Sequence, residues 1–132
     1  MLPQLRLASS TFSLLVLCMG IGSATAAENE ESKCCCTTYD TSVCLSNVDQ
    51  KVDAEQSTTY QKALIASQPF GNKAIDDLKE AETQWLAYRD AECKAEYDRW
   101  GGGSGGPNAL TMCKIRITRQ RTVELKHRYH VH

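Results

Sequence analysis

Hydrophobic positions recur with a helical period along most of the chain, and the first stretch with this pattern runs from Leu45 to Ala66. This stretch contains no proline or glycine. Its apolar residues fall at spacings that share one helical face, with a polar interruption at 56–59. They are Leu45, Val48, Val52, Tyr60, Leu64 and Ile65. The pattern predicts a first helix over 45–66.

A second helix, from about Lys73 to Trp100, is predicted by the clearest amphipathic pattern in the sequence. At 100° per residue, one arc collects Ile75, Leu78, Ala81, Trp85, Tyr88, Cys93 and Trp100. We therefore expect the aromatic side of this helix to face inward. Asn72 precedes it, and an asparagine side chain there can accept first-turn amide hydrogens. The glycine-rich run Gly101–Gly106 ends the helix.

A third helix is predicted to begin at Pro107 and Asn108 and to run to about His127. Its inner face is expected to consist of Leu110, Ile115, Thr118, Thr122, Leu125 and Tyr129. No long strand pattern occurs. The predicted fold is all-α, a small antiparallel three-helix bundle held by disulfides. The segment 34–44 shows no helical period, so it is predicted as a tied-down loop, with a short extra helix as the alternative.

The first 26 residues have the order of a secretory signal peptide. Arg6 supplies a basic charge, 12–21 form an apolar run, and Ala24-Thr25-Ala26 ends the segment with small residues. The run is too short to anchor in a bilayer, which needs roughly 20 apolar residues; a buried core helix is the alternative. We expect cleavage near Ala26 and a secreted or periplasmic protein without a stable membrane anchor. The domains predicted are a signal peptide (1–26), a cysteine-rich segment (27–44) and a helical domain (45–132).

Charge and composition favour a binding protein over an enzyme. Removal of 1–26 takes away Arg6 alone among charged residues, so the formal charge changes from −1 to about −2, which is no nucleic-acid footprint. No histidine lies in the helical body, and the glycine run lacks the lysine of a phosphate loop. We expect no catalytic residue, no cofactor and no metal. The tail histidines His127, His130 and His132 are expected to be exposed; a metal site there is the alternative.

Six cysteines follow the predicted signal peptide: Cys34, Cys35, Cys36, Cys44, Cys93 and Cys113. An even count in a short exported chain indicates a disulfide framework. If Cys93 and Cys113 are bridged, they close a loop of about 20 residues, worth roughly 3 kcal/mol; two free buried thiols are the alternative. For Cys44 we favour Cys36 or Cys35 as partner. A zinc site or a thiol module at the four N-terminal cysteines is the weaker alternative.

Arg89 stands near the centre of the apolar arc of the second helix, and a charge there must be paired. Glu82, Glu92 and Glu96 share that face. We predict an internal polar cluster of Arg89, Glu92 and Glu96, with Arg121 as its second cation. Its role is expected to be structural, with ligand binding as the alternative.

Residues 78–93 (LKEAETQWLAYRDAEC) resemble the motif L-K-x-A-Q-x-x-W-L-x-Y-R-D-x-x-C of the LprI-type lysozyme inhibitor N-terminal domain family. Cys113 and the string 118–125 resemble its second cysteine and T-x-x-R-T-x-x-L ending. The matching residues include Trp85, Tyr88, Arg89, Asp90, Thr118, Arg121 and Thr122. The resemblance covers about 36–125. Gln56 and Ser57 depart from the family's D-x-x-L-N-x-x-Y motif, and Glu82 replaces its usual glutamine.

This resemblance implies an exported helical protein of bacterial envelopes, with a Cys93–Cys113 bridge and a polar centre at Arg89. Some members of the family are associated with lysozyme inhibition. We therefore expect the protein to bind and inhibit a lysozyme-like muramidase, and no particular oligomeric state is indicated. An accessory envelope protein with another partner is the alternative. The expected partner-binding loop contains Gly101, Gly102, Gly103, Ser104 and Asn108; a mere connector is the alternative there.

Overall fold

A computed structural model describes residues 30–34 and 36–132, and three long helices make up most of that part. They are α1 (Thr38–Ser67), α2 (Asn72–Asp98) and α3 (Gly106–Tyr129). Two short 3₁₀ helices lie at Glu30–Lys33 and Gln68–Phe70. The described residues contain no strand, so the predicted all-α bundle held by disulfides is confirmed. The predicted signal peptide, 1–26, lies outside the described residues.

The three helices run up, down and up, and α3 lies at the centre of the bundle. Near their N-termini, the Ser42 hydroxyl of α1 donates to Asn108 of α3 at 2.6 Å. Near their C-termini, Lys62 donates to the carbonyl of His132. α1 and α3 are therefore parallel, with α2 antiparallel to both. α3 packs along both neighbours, whereas α1 and α2 have few contacts with each other.

α1 begins at Thr38, seven residues before Leu45, so the loop predicted for 38–44 is wrong. The reason is a capping box at its N-terminus. The Asp40 amide donates to Thr37 Oγ1 at 3.1 Å, and the Thr37 amide donates to the Asp40 carboxylate at 3.4 Å. This pair of side chains starts the helix without an apolar stripe. α2 differs also: Gly71 (φ 88°) precedes it and Asn72, predicted to cap it, is its first residue.

Apolar packing in the bundle is divided into three small clusters along its axis. They consist of Leu45, Val48, Val52 and Ile115, of Ala63, Leu78 and Leu125, and of Cys93, Cys113 and Ile117. Between them lie polar side chains that are just as deeply buried: Gln56, Thr59, Glu82, Thr118, Arg121 and Thr122. A polar layer therefore crosses the middle of the bundle.

The inward-facing stripe of α2 is narrower than predicted. Its buried residues are Leu78, Glu82 and Cys93, with Trp85 half-buried between them. The side chains of Tyr88 and Trp100 are 56% and 53% exposed, so the expectation that all the aromatic residues face inward is wrong. The cause is the position of α2 at one side of α3, where a single stripe is covered.

Two disulfides join described cysteines, and one of them differs from the prediction. Cys93 is bridged to Cys113, as expected, with the Cα atoms 5.5 Å apart. Cys44 is bridged to Cys34 and not to Cys36 or Cys35. Cys44 lies about 9 Å along α1 from Thr38, whereas a disulfide needs Cα atoms within about 7 Å. Cys36, at φ 104°, reverses the chain just before the cap, and this reversal brings Cys34 back beside the helix.

None of the helices in the described part of the chain is long and apolar enough to span a bilayer. Within the same residues, no three histidine, cysteine or acidic side chains come together in a way that would hold a metal ion.

Candidate functional site

Glu82 is the point at which all three helices meet in the polar layer. Its carboxylate lies on α2 and is 9% exposed. Arg121 of α3, 8% exposed, donates to Glu82 Oε2 through Nε at 3.1 Å and Nη2 at 3.0 Å. Gln56 of α1 donates its side-chain amide to the other oxygen, Oε1. Arg121 Nη1 also reaches Glu124 at 3.0 Å. Both oxygens of the buried carboxylate are thus satisfied.

Arg89 forms the second cationic contact of the layer. Its Nη1 donates to Asp53 of α1 at 3.1 Å and to the Thr118 hydroxyl of α3 at 3.2 Å. Its Nε reaches Asp90 at 3.2 Å. The Trp85 ring contacts both guanidinium groups, with its centroid 5.3 Å from Arg89 Cζ and 5.9 Å from Arg121 Cζ, within the range of cation–π attraction. The guanidinium groups of Arg89 and Arg121 therefore share the Trp85 indole as a common cation–π partner.

Glu92 and Glu96, predicted to surround Arg89, are not part of this layer. Glu92 is exposed, and Glu96 pairs with Arg116 at 3.6 Å. Side chains on a helix lean toward its N-terminus, so Arg89 extends back toward Trp85 and away from the following turns. Glu82, seven residues earlier on the same face of α2, is the buried acidic residue of the layer.

Sequence reasoning also missed Gln56 and Asp53 as members of the layer. The polar interruption of the first helix was the available signal, because a polar residue in register with Leu45, Val48 and Val52 must find a buried partner. Of the motif residues, Thr122 supports the layer by donating to the Thr118 carbonyl at 3.0 Å, whereas Tyr88 lies outside it. The Arg121–Glu82 pair at its centre is buried, and Arg89 is paired with the half-exposed Asp53 at its edge, which fits a structural role.

One acidic residue beside the layer has an unsatisfied atom. Asp49 Oδ1 is buried and has no hydrogen-bond partner in the structure. Burial, followed by repulsion from Asp53, raises the pKa of Asp49 above its usual 3.8, against the attraction of Lys114 and Arg89. The native state therefore binds this proton more tightly than the unfolded chain does. The stability that results from this tighter proton binding is largest below pH 3.8. It is lost as the pH rises through the raised pKa of Asp49 in the folded protein.

We expect Asp49→Asn to stabilise the protein at pH 7 by roughly 1 kcal/mol, because a neutral amide is buried at lower cost than a carboxylate and is not repelled by Asp53. The gain over wild type is expected to shrink as the pH falls toward 3.8, because protonation neutralises the wild-type side chain. Urea unfolding at a series of pH values measures both. Asp53→Asn is the matched control and should destabilise, since Arg89 loses an ion pair. A pH-independent difference for Asp49→Asn would contradict the assignment.

The predicted partner-binding loop lies at the end of the bundle where α2 passes to α3. Gly101, Gly102, Gly103 and Ser104 are all exposed. Gly101 (φ 55°) and Gly102 (φ 82°) adopt the left-handed backbone that favours glycine. Asn108 does not belong to this loop. It lies in the first turn of α3, where it accepts from Ser42 and donates to the Thr38 carbonyl.

Aromatic side chains hold the base of the loop. The Trp100 ring lies so close to Gly105 that an added Cβ would come within 2.4 Å of Trp100 Cζ3. At Gly106 the added atom would meet the Tyr97 ring at 3.1 Å. The adjoining cavity of about 390 Å³ is lined by Glu96, Trp100, Gly105, Asn108, Ala109 and Met112. The glycines at 105 and 106 therefore make room for rings, and the exposed tip is 101–104.

A family model described as lysozyme inhibitor LprI matches residues 29–125 of this chain. The chain belongs to the LprI lysozyme inhibitor family. An uncharacterized protein of Rhizobium meliloti (strain 1021) is a relative, 30% identical over an alignment of 132 positions that covers 92% of this chain and 94% of the other. No solved structure matches the chain.

LprI membership confirms the family resemblance of the sequence and suggests a lysozyme inhibitor-like function. The family is one of inhibitors rather than catalysts, and it is extracellular or periplasmic. The matched region includes the whole polar layer, both disulfides and the glycine loop. In this LprI protein, then, a disulfide-linked helical core carries an exposed, glycine-rich tip.

Proposed function

We propose that this protein binds a lysozyme-like muramidase and inhibits it by placing the glycine loop, 101–104, in the substrate cleft. Membership in the LprI family is the observation that carries the proposal. The loop is the preferred element because it is exposed and its base is fixed by the Cys93–Cys113 bridge.

The chemistry of a muramidase cleft suits such a loop. Glycoside hydrolases carry two carboxyl groups on either side of the bond they cleave. Three consecutive glycines form a slender projection, and among the described residues the amides of Gly102 and Ser104 donate to no protein acceptor. These amides can donate to a carboxylate of the partner. The N-terminus of α3 directly behind the loop adds partial positive charge.

Pre-organisation supports the same proposal. A loop that must be ordered on binding loses affinity through conformational entropy. Here the disulfide fixes both flanking helices, and the packing of Trp100 on Gly105 fixes the base. Only the short tip, 101–104, therefore loses conformational entropy when the protein binds its partner. A small exported inhibitor can bind tightly under these conditions with little buried area.

The test is an inhibition assay of a variant that carries a negative charge in the loop. Ser104→Glu introduces a carboxylate where the partner's carboxylates are expected, and like charges brought together cost several kcal/mol. We expect at least about tenfold weaker inhibition of cell-wall lysis across a panel of lysozymes of different structural classes. The matched control is Ser57→Glu, the same substitution at an exposed position of α1, which should inhibit like wild type.

Undiminished lysis at a large excess of wild-type protein would contradict the proposed function. The alternative of an accessory envelope protein would then be favoured, and crosslinking in intact cells would identify its partner. Equal inhibition by wild type and Ser104→Glu would instead remove the loop from the interface.

We also propose that residues 1–26 direct export and are removed. The two disulfides support this, because such bridges persist in oxidising compartments. Mass spectrometry of the exported protein tests the cleavage site near Ala26.

A further inference from the structure

An exposed aromatic and cationic edge lies beside the glycine loop, formed by Tyr97, Arg99, Trp100 and Met112; we term it the Trp100 edge. The side chains of Trp100, Met112 and Tyr97 are 53%, 49% and 37% exposed. They belong to one surface, because Trp100 and Met112 line the same cavity and Tyr97 packs with Trp100 on the glycines of the α3 start. Three large apolar side chains grouped on the surface are typical of interaction sites.

Packing against the backbone holds the Trp100 ring in one orientation while part of the ring stays exposed to solvent. One part of the indole rests on Gly105, at a distance that no side chain at that position would permit. The rest of the ring is exposed. A tryptophan held in one orientation contributes large contact area at little entropic cost, which is why this residue type is enriched among the dominant contacts of interfaces.

Arg99 supplies the charge of the edge. It lines a pocket of about 450 Å³ with Glu96 and Trp100. Neighbouring cations are paired: Lys94 with Asp98 at 2.9 Å and Arg116 with Glu96 at 3.6 Å. No described carboxylate lies within ion-pair distance of Arg99. The edge therefore offers an unpaired guanidinium directly beside an exposed indole.

We propose that the Trp100 edge is the main energetic contact with the partner, and that it fits the acidic, sugar-binding cleft of a glycan-cleaving enzyme. Arg99 pairs with a carboxylate of that cleft, and the Trp100 ring packs on the apolar surface on which a sugar ring would lie. This inference rests on the proposed function and names the side chains that supply its affinity. In this arrangement the glycine loop enters the cleft of the partner. The Trp100 edge supplies most of the binding affinity and the charge complementarity.

Calorimetric titration of a lysozyme that wild type inhibits tests the edge directly. Trp100→Ala is expected to weaken binding by at least about 30-fold, as for a dominant interface contact. Trp100→Phe, which keeps an aromatic ring on Gly105, should lose less. Arg99→Gln is expected to weaken binding about tenfold. The matched controls lie at the opposite end of the bundle: Phe70→Ala, whose ring is 78% exposed, and Arg128→Gln. Both should bind like wild type.

A second lysozyme, in which one catalytic carboxyl is replaced by its amide, identifies the partner of Arg99. With that enzyme Arg99→Gln should bind as well as the protein with Arg99, because the ion pair is already absent. An unchanged tenfold loss would overturn the pairing. Far-ultraviolet circular dichroism and melting curves of Trp100→Ala and Trp100→Phe separate a lost contact from a lost fold.

The outcomes distinguish this inference from the proposed function. If wild type neither binds nor inhibits any lysozyme, both are overturned. If wild type inhibits, and folded Trp100→Ala and Arg99→Gln inhibit equally well, the Trp100 edge alone is overturned. Wild-type binding without inhibition that still depends on Trp100 would support the edge and contradict inhibition.

Discussion

Replacing Arg121 by methionine is expected to lower the free energy of unfolding by about 3–5 kcal/mol, the usual result of breaking a buried ion pair by removing one partner. The loss in unfolding free energy is large because the substitution leaves the buried Glu82 carboxylate without its cation. Glu82 is 9% exposed and accepts two hydrogen bonds from the Arg121 guanidinium. Without them its charge stays buried with one amide donor, Gln56. The Trp85 ring also loses one of its two cations.

Urea unfolding at pH 7 measures this loss, and Arg128→Met provides its matched control. Arg128 also pairs with Glu124, but its side chain is 62% exposed. Exposed pairs contribute about 0–1 kcal/mol. The two variants remove the same functional group from the same helix, so the difference between them reports burial. Similar losses for both variants would contradict the view that the polar layer is a buried, interdependent unit.

The layer also explains two departures of this chain from the family motif. Gln56 stands where the motif has leucine, and Glu82 where it has glutamine, and these two residues are hydrogen-bonded to each other. A carboxylate at 82 needs an additional donor, which glutamine at 56 provides and leucine does not. The two departures are therefore coupled in the structure. In a double-mutant cycle, Gln56→Leu and Glu82→Gln should together cost less than the sum of the two single substitutions.

Much of the fold could be predicted from apolar periodicity, and the errors occurred where another interaction decides the structure. The boundaries of α2 and α3 follow the predicted ones within two residues. The start of α1 at Thr38 differs from the prediction because a capping box with Thr37 as its N-cap, not an apolar stripe, begins the helix. A capping box depends on two polar side chains three residues apart, and a prediction from the spacing of apolar residues does not detect them.

The site was harder to predict than the fold. The place of Arg89 on the apolar arc shows that it must be paired, but the sequence pattern indicates no partner on another helix, and the acidic residues it predicts, Glu92 and Glu96, lie on the same helix as Arg89. In the structure its contacts include Asp53 on α1 and Thr118 on α3. Contacts between helices depend on their axial register, which one helical pattern does not contain. The same limit applied to Cys44, whose partner depends on a chain reversal at Cys36.

Removing the Cys93–Cys113 bridge is the second change with a large expected effect. The paired substitutions Cys93→Ala and Cys113→Ala should lower the free energy of unfolding by about 3 kcal/mol, because a bridge spanning 20 residues restricts the unfolded chain. Alanine is preferred to serine since both positions are almost fully buried. A hydroxyl without a partner there would add its own cost of about 1–3 kcal/mol. Urea unfolding under non-reducing conditions gives the value.

The same variant is expected to inhibit lysozyme more weakly even at temperatures where it is folded. The bridge joins the last turns of α2 to the first turns of α3, so its loss leaves the packing of Trp100 on Gly105 to hold the loop base alone. Binding must then order the loop, and we expect about a tenfold loss, chiefly through faster dissociation. The paired alanine variant of the Cys34–Cys44 bridge is the control, because that bridge fixes the start of α1 and not the loop. Equal losses of binding in the two variants would show that stability alone, and not the clamped loop, governs recognition.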